Sequence, residues 1–63
     1  MSLYEYKQSQ EISQKYDFYA IIMAAMRLAD DQNVALLKVA FPEIWGELYA
    51  RYHKAGGLLP DGK

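Results

Sequence analysis

Nine consecutive apolar residues, from Phe18 to Met26, constrain this 63-residue chain more than any other feature. A membrane-spanning helix needs about twenty such residues, so the run predicts a central core helix and no membrane span. A helix that is apolar on every side must be covered on every side, either by the other helices of its own chain or by a second chain. Ala20, Ala24 and Ala25 would let a neighbouring helix approach this run closely.

The length of the chain limits how much apolar surface one copy can cover. Apolar residues make up 52% of the sequence and the net charge is −1, which together exclude a disordered chain. Below about 70–80 residues one core seldom provides more than about 3–5 kcal/mol, and small chains add a disulfide, a metal or a partner. Because the sequence has no cysteine, a disulfide scaffold, a zinc finger and a thiol nucleophile are excluded. We therefore expect a partner polypeptide.

The sequence predicts an all-α protein, a compact bundle of three to four short helices with an irregular C-terminal tail. Strand-like alternation and internal repeats are both missing from it. Short connections between the helices predict neighbours that are antiparallel or sharply crossed. We expect a single helical domain over 1–63, with helical segments at 2–16, 17–29, 31–41 and 42–54 and a tail at 55–63.

Polar residues mark where three of these segments begin. Ser2 and Glu5 have the spacing of a capping box, in which each side chain bonds the backbone amide of the other residue. Asp17 is a favourable N-cap for the second segment, and either Asp30 or Asp31 can cap the third.

The fourth segment contains a proline and a glycine and is followed by two more glycines, and these residues predict where its helix begins and ends and what packs against it. Pro42 suits the first position of a helix, where no amide donor is needed, and one glycine of the pair Gly56 and Gly57 is expected to end the helix in a left-handed cap. Gly46 costs about 1 kcal/mol relative to alanine, which suggests that a backbone or a large side chain passes close to it. The predicted core consists of Ile21, Ile22, Ala25, Met26, Leu37, Phe41, Trp45 and Leu48.

The residue types in the sequence do not favour a catalytic site or a metal-binding site. His53 is the only histidine and lies beside Lys54 near a predicted helix end, where a solvated side chain is expected. A zinc site needs three or four ligands, and there is no second histidine or any cysteine to supply them. Glu43 and Glu47 are typical of solvated helix charges. We expect no enzyme activity, no cofactor and no metal.

A nucleic-acid-binding regulator is the alternative function. The second and third segments, with the turn at 30–33, could form a pair similar to a helix-turn-helix. However, seven basic residues are outnumbered by eight acidic ones, and DNA affinity depends largely on phosphate neutralisation. The third segment would also begin with Asp30 and Asp31, which repel phosphate. Nucleic acid is therefore not the partner that we favour.

Aromatic residues point to protein–protein interaction, either self-association as a homo-oligomer or docking on a larger partner protein. Six tyrosines and one tryptophan cannot all be buried in so small a core, and both types are enriched at interfaces. One interpretation places the rings at the edge of the core with their hydroxyl groups in water, and Trp45 alone is typical of a core anchor. The other interpretation assigns a contact surface to Tyr16, Tyr19, Trp45, Tyr49 and Tyr52.

Part of the sequence resembles small helical proteins of bacteriophage and prophage genomes. The stretches that carry the resemblance are Phe18–Asp30, 40–43, 51–53 and 56–58. The resemblance covers roughly residues 4–60 and implies a phage or prophage source. Those proteins have no assigned activity, so no functional residue is carried over. Because residues 1–16 lack the blocks of a signal peptide, we expect a cytoplasmic location, in a bacterial host if the source is a phage.

Overall fold

Four helices make up the part of the chain, residues 2–58, that the computed structural model describes. No strand occurs within that part, so the all-α prediction is confirmed. Of the predicted tail at 55–63, residues 59–63 lie outside the described residues, whereas the first residues of the tail form a short 3-10 turn. The elements are α1 (Leu3–Lys15), α2 (Phe18–Leu28), α3 (Asp31–Ala40), α4 (Pro42–Tyr52) and the 3-10 turn (Ala55–Gly57).

Side-chain caps fix the starts of the first three helices. In α1, the Ser2 hydroxyl accepts a hydrogen bond from the Glu5 amide at 3.2 Å, and the Ser2 amide donates to the Glu5 carboxylate at 3.0 Å. Asp17 and Asp30 each accept a 2.8 Å bond from the backbone amide three residues further on. Helix α4 begins at Pro42 with no side-chain cap bond. These caps satisfy amides that have no partner inside their own helix, and the predicted capping residues are confirmed.

Helix α2 contacts each of the other three helices, whereas α1 contacts α2 alone. Among the described residues, the only buried hydrophobic side chains are Met26 in α2 and Leu48 in α4. The core prediction is therefore wrong in extent, because four short helices with α1 on one side do not enclose the rest. Six of its members are half-buried: Ile21, Ile22, Ala25, Leu37, Phe41 and Trp45.

The protein is extended for its length. Its radius of gyration is 13.5 Å, and its principal axes measure 42 × 26 × 17 Å. A globular chain of this length has a radius of gyration of about 11 Å. The accessible surface is 5472 Å², whereas a folded monomer of this mass exposes about 4,200 Å². Residues 2–58 contain no helix that combines the length and the apolar character needed to cross a bilayer.

The surroundings of Gly46 differ from the prediction of a close neighbour. A Cβ atom built at Gly46 meets nothing within 4 Å, so no other element among residues 2–58 passes close to it. The prediction of a close approach is wrong, since this side of α4 faces open space.

The two later glycines form a turn rather than the cap of α4. Gly56 and Gly57 both have left-handed φ angles, of +65° and +71°, but they lie in the 3-10 turn beyond the end of the helix. The Arg51 guanidinium donates to the Gly57 carbonyl at 2.9 Å. It also pairs with Glu47 at 3.2 Å, one turn earlier. Arg51 thereby ties the turn to α4.

Candidate protein-interaction surface

Most large apolar side chains remain in contact with solvent. Leu28 is 87% exposed and Val39 is 83% exposed, compared with 4% for Met26. Monomeric soluble proteins rarely leave large apolar patches uncovered, and such patches mark sites of interaction. The exposed set within the described residues is Leu3, Tyr4, Tyr6, Ile12, Tyr16, Phe18, Tyr19, Leu28, Leu36, Val39, Tyr49, Tyr52 and Leu58.

A groove of about 500 Å³ opens between α1 and α2, and we call it the α1–α2 groove. The chain turns from one helix into the other at Tyr16 and Asp17, where the backbone is extended. Apart from the Tyr16 hydroxyl, every lining side chain is apolar. The lining residues are Ile12, Tyr16, Ala20, Ile21, Ala24, Ala25 and Leu28.

Helix α2 carries two apolar faces, and only one of them is well covered. Met26 is buried and lies with Leu48 of α4 in a second groove. Ala20, Ala24 and Leu28 recur every four residues along the α1–α2 groove, so they share one face of the helix. All three are exposed. The α1–α2 groove is thus the side of α2 that the described part of the chain leaves open.

The second groove, of about 270 Å³, is aromatic and lies between α2 and α4. The Trp45 and Tyr49 ring centroids are 6.1 Å apart. The Lys38 ammonium lies 4.3 Å from the Trp45 ring centroid, and the Arg27 guanidinium carbon lies 5.9 Å from that of Tyr52. Cations over aromatic faces attract the rings electrostatically. The chain's own cations therefore already contact part of this aromatic groove.

A smaller aromatic cluster lies where α2 begins. The Phe18 ring meets Tyr19 edge-on, with centroids 5.6 Å apart, and meets Phe41 in the same manner at 5.9 Å. Phe18 and Tyr19 are both more than half exposed. This cluster joins the start of α2 to the α3–α4 connection.

The predicted contact residues fall in three places rather than on one continuous surface. Trp45, Tyr49 and Tyr52 share the aromatic groove, Tyr16 lines the α1–α2 groove, and Tyr19 belongs to the Phe18 cluster. Trp45 is half-buried, and the other four are exposed.

Sequence reasoning did not name the residues that make the α1–α2 groove a site. Ile12 and Leu28, together with the small residues Ala20 and Ala24, form most of its wall. The signal was present in the apolar character of the second segment on all sides. Aromatic residue type, which guided the choice of candidates, does not identify alanine-lined surfaces.

The titratable side chains form no cluster suited to metal binding in the region that the structure describes, where no three His, Asp or Glu residues come together. His53 lies against two tyrosines, with ring centroids 4.4 Å from Tyr49 and 5.4 Å from Tyr52. These contacts are packing contacts at the end of α4.

No protein-family model, curated protein or solved structure matches this chain. The resemblance to phage-encoded proteins stays a prediction.

Proposed function

We propose that this protein is a small, non-enzymatic, self-associating helical protein whose apolar surface is covered by another copy of the chain. One observation carries the proposal: two hydrophobic side chains are buried within residues 2–58, while thirteen large ones remain exposed. Burial of apolar surface is the main favourable term in protein association.

The size of the exposed surface supports a stable contact. The chain exposes 5472 Å², about 1,300 Å² more than expected for a folded monomer of its mass. A standard protein–protein interface buries about 800 Å² on each partner. The surplus is therefore large enough for one such interface.

The electrostatics of the helix pair disfavour nucleic acid as the partner. Asp30 caps α3 through a 2.8 Å bond to the Asn33 amide, and Asp31 lies in the first turn. Two carboxylates thus stand at the end of α3 that a helix-turn-helix would bring toward phosphate, and the net charge of −1 adds no attraction. Binding of duplex DNA in a gel-shift assay at low salt would favour the alternative function.

A cytoplasmic location stays a prediction.

The dependence of thermal stability on protein concentration tests the proposal. Association stabilises the folded state by mass action, by about 2.7 kcal/mol for a hundredfold rise in concentration. With the usual unfolding entropy of about 2.1 cal/mol/K per residue, a dimer's midpoint should rise by about 10 °C. Circular dichroism measures this midpoint. A fully helical protein with the same midpoint at every concentration would contradict self-association and would leave docking on a different, larger protein as the remaining interaction.

A further inference from the structure

We propose that the α1–α2 groove is the self-association site, and that its occupant is helix α1 of a second copy in a two-fold dimer. This inference rests on the proposed self-association and assigns it to particular residues. In this arrangement each copy places its α1 in the groove of the other, so that two α1 helices and two α2 helices form the centre of the dimer. Such reciprocal contacts are the usual form of a two-fold interface.

Helix α1 is the segment of the chain that most needs a partner. It packs against α2 alone and has no buried residue. An isolated helix shorter than about 12–15 residues is marginal in water, and α1 has 13 residues, many of them polar. A contact along its apolar side would stabilise it as well as fill the groove.

The apolar stripe of α1 matches the groove in length. Tyr4 and Ile12 lie on one side of α1, eight residues apart, which corresponds to about 12 Å along the helix. Ala20 and Leu28 mark the open face of α2 over the same number of residues. Ala24, at the middle of this face, has a small side chain that lets the incoming helix approach closely, while Tyr4 and Ile12 lie opposite the two ends of the face.

Charges at the helix ends favour an antiparallel arrangement of this α1 on α2. Helix α1 has Glu5 in its first turn and Lys15 in its last turn, while α2 is capped by Asp17 and has Arg27 in its last turn. Antiparallel packing places the acidic end of one helix near the basic end of the other at both ends of the contact. The dipoles of two antiparallel helices point in opposite directions, and their attraction also favours the antiparallel arrangement.

The available area agrees with what a dimer needs. Tyrosine presents about 150–250 Å², and Tyr4 and Tyr16 are 70% and 60% exposed. With Ile12 and Leu28, the four side chains offer about 400 Å² of apolar surface per copy, or about 800 Å² over two copies. Flanking polar side chains of α1 raise the total to about the 1,000 Å² that a biological interface should exceed.

Two pairs of matched variants test the site, with dimer dissociation constants measured by sedimentation. Ala24→Lys places a cation in the groove, and Ala35→Lys makes the same change at an exposed alanine of α3. Tyr4→Ala removes the Tyr4 ring from the proposed occupant, helix α1. Tyr6→Ala removes a similarly exposed ring from the other side of α1, about 200° around the helix. We expect Ala24→Lys and Tyr4→Ala each to weaken the dimer about tenfold or more, and both controls to stay within about threefold.

The outcomes separate this inference from the proposed function. All four altered positions are exposed in the single chain, so each variant should match the helicity of the parent by circular dichroism at concentrations high enough for it to dimerise. A wild-type oligomer that Ala24→Lys leaves intact would overturn the groove assignment and leave self-association standing. An oligomer weakened by Ala24→Lys but not by Tyr4→Ala would overturn the choice of α1 as occupant. A wild-type chain that stays monomeric would overturn the proposed function itself.

Discussion

Replacement of Gly46 by alanine is expected to stabilise the protein. Gly46 lies inside α4, and a Cβ atom at this position meets nothing within 4 Å. Alanine is better than glycine in a helix interior by about 0.8–1.0 kcal/mol, because glycine loses more backbone entropy on folding. Since the added methyl group has free space, the full difference should appear in the free energy of unfolding.

The gain converts into a measurable shift in melting temperature. At about 2.1 cal/mol/K per residue, the unfolding entropy of 63 residues is about 0.13 kcal/mol/K, so Gly46→Ala should raise the midpoint by about 7 °C. The same shift is expected for a dimer, because the gain and the entropy both double. Thermal melting followed by circular dichroism measures it. Ala35→Gly, at an exposed position inside α3, is the matched control and should lower the midpoint by a similar amount.

A lower midpoint for Gly46→Ala would refute this reasoning. Such a result would favour the approach of another chain to α4 at Gly46, because the atoms of the described residues leave that position open. The contact between copies would then include α4. If the dimer dissociation constant also rose, the assignment of the interface to the α1–α2 groove would be contradicted.

Further substitutions test packing, capping and the C-terminal turn. Leu48→Ala removes one of the two hydrophobic side chains that are buried within residues 2–58 and should cost about 2–5 kcal/mol by chemical denaturation, while Val39→Ala, at an exposed site, should cost far less. Asp30→Ala removes the cap of α3 and should lower stability by about 1 kcal/mol; an equal loss for Asp31→Ala, which accepts no cap bond, would contradict that assignment. Gly57→Ala places a side chain at a φ of +71° and should cost about 1–2 kcal/mol in thermal melts, whereas an unchanged midpoint would show that the turn adds nothing to stability.

Local features of this chain were predictable from sequence because they depend on residues a few positions apart. The capping box of Ser2 and Glu5 and the Asp17 cap require only a side-chain oxygen near an amide three residues away. The start of α4 at Pro42 follows from the fixed geometry of proline. Such interactions do not depend on how the helices pack.

The path of α1 and the degree of burial were not predictable in the same way. The two residues between α1 and α2, Tyr16 and Asp17, do not fix the angle between the helices, so sequence alone could not show that α1 leaves one face of α2 open. The same uncertainty affected the core, where Leu37 and Trp45 have the right spacing but too few neighbours to bury them fully. Gly46 illustrates a further limit, since a costly residue inside a helix does not by itself imply a close neighbour.

Sedimentation equilibrium of the wild-type protein tests the central claim most directly. If a second copy covers the exposed apolar surface, the measured mass should approach twice the 7.3 kDa of one chain at about 100 µM and should fall on dilution. A mass of one chain at every concentration, with the helix content of α1 to α4 intact by circular dichroism, would contradict the claim.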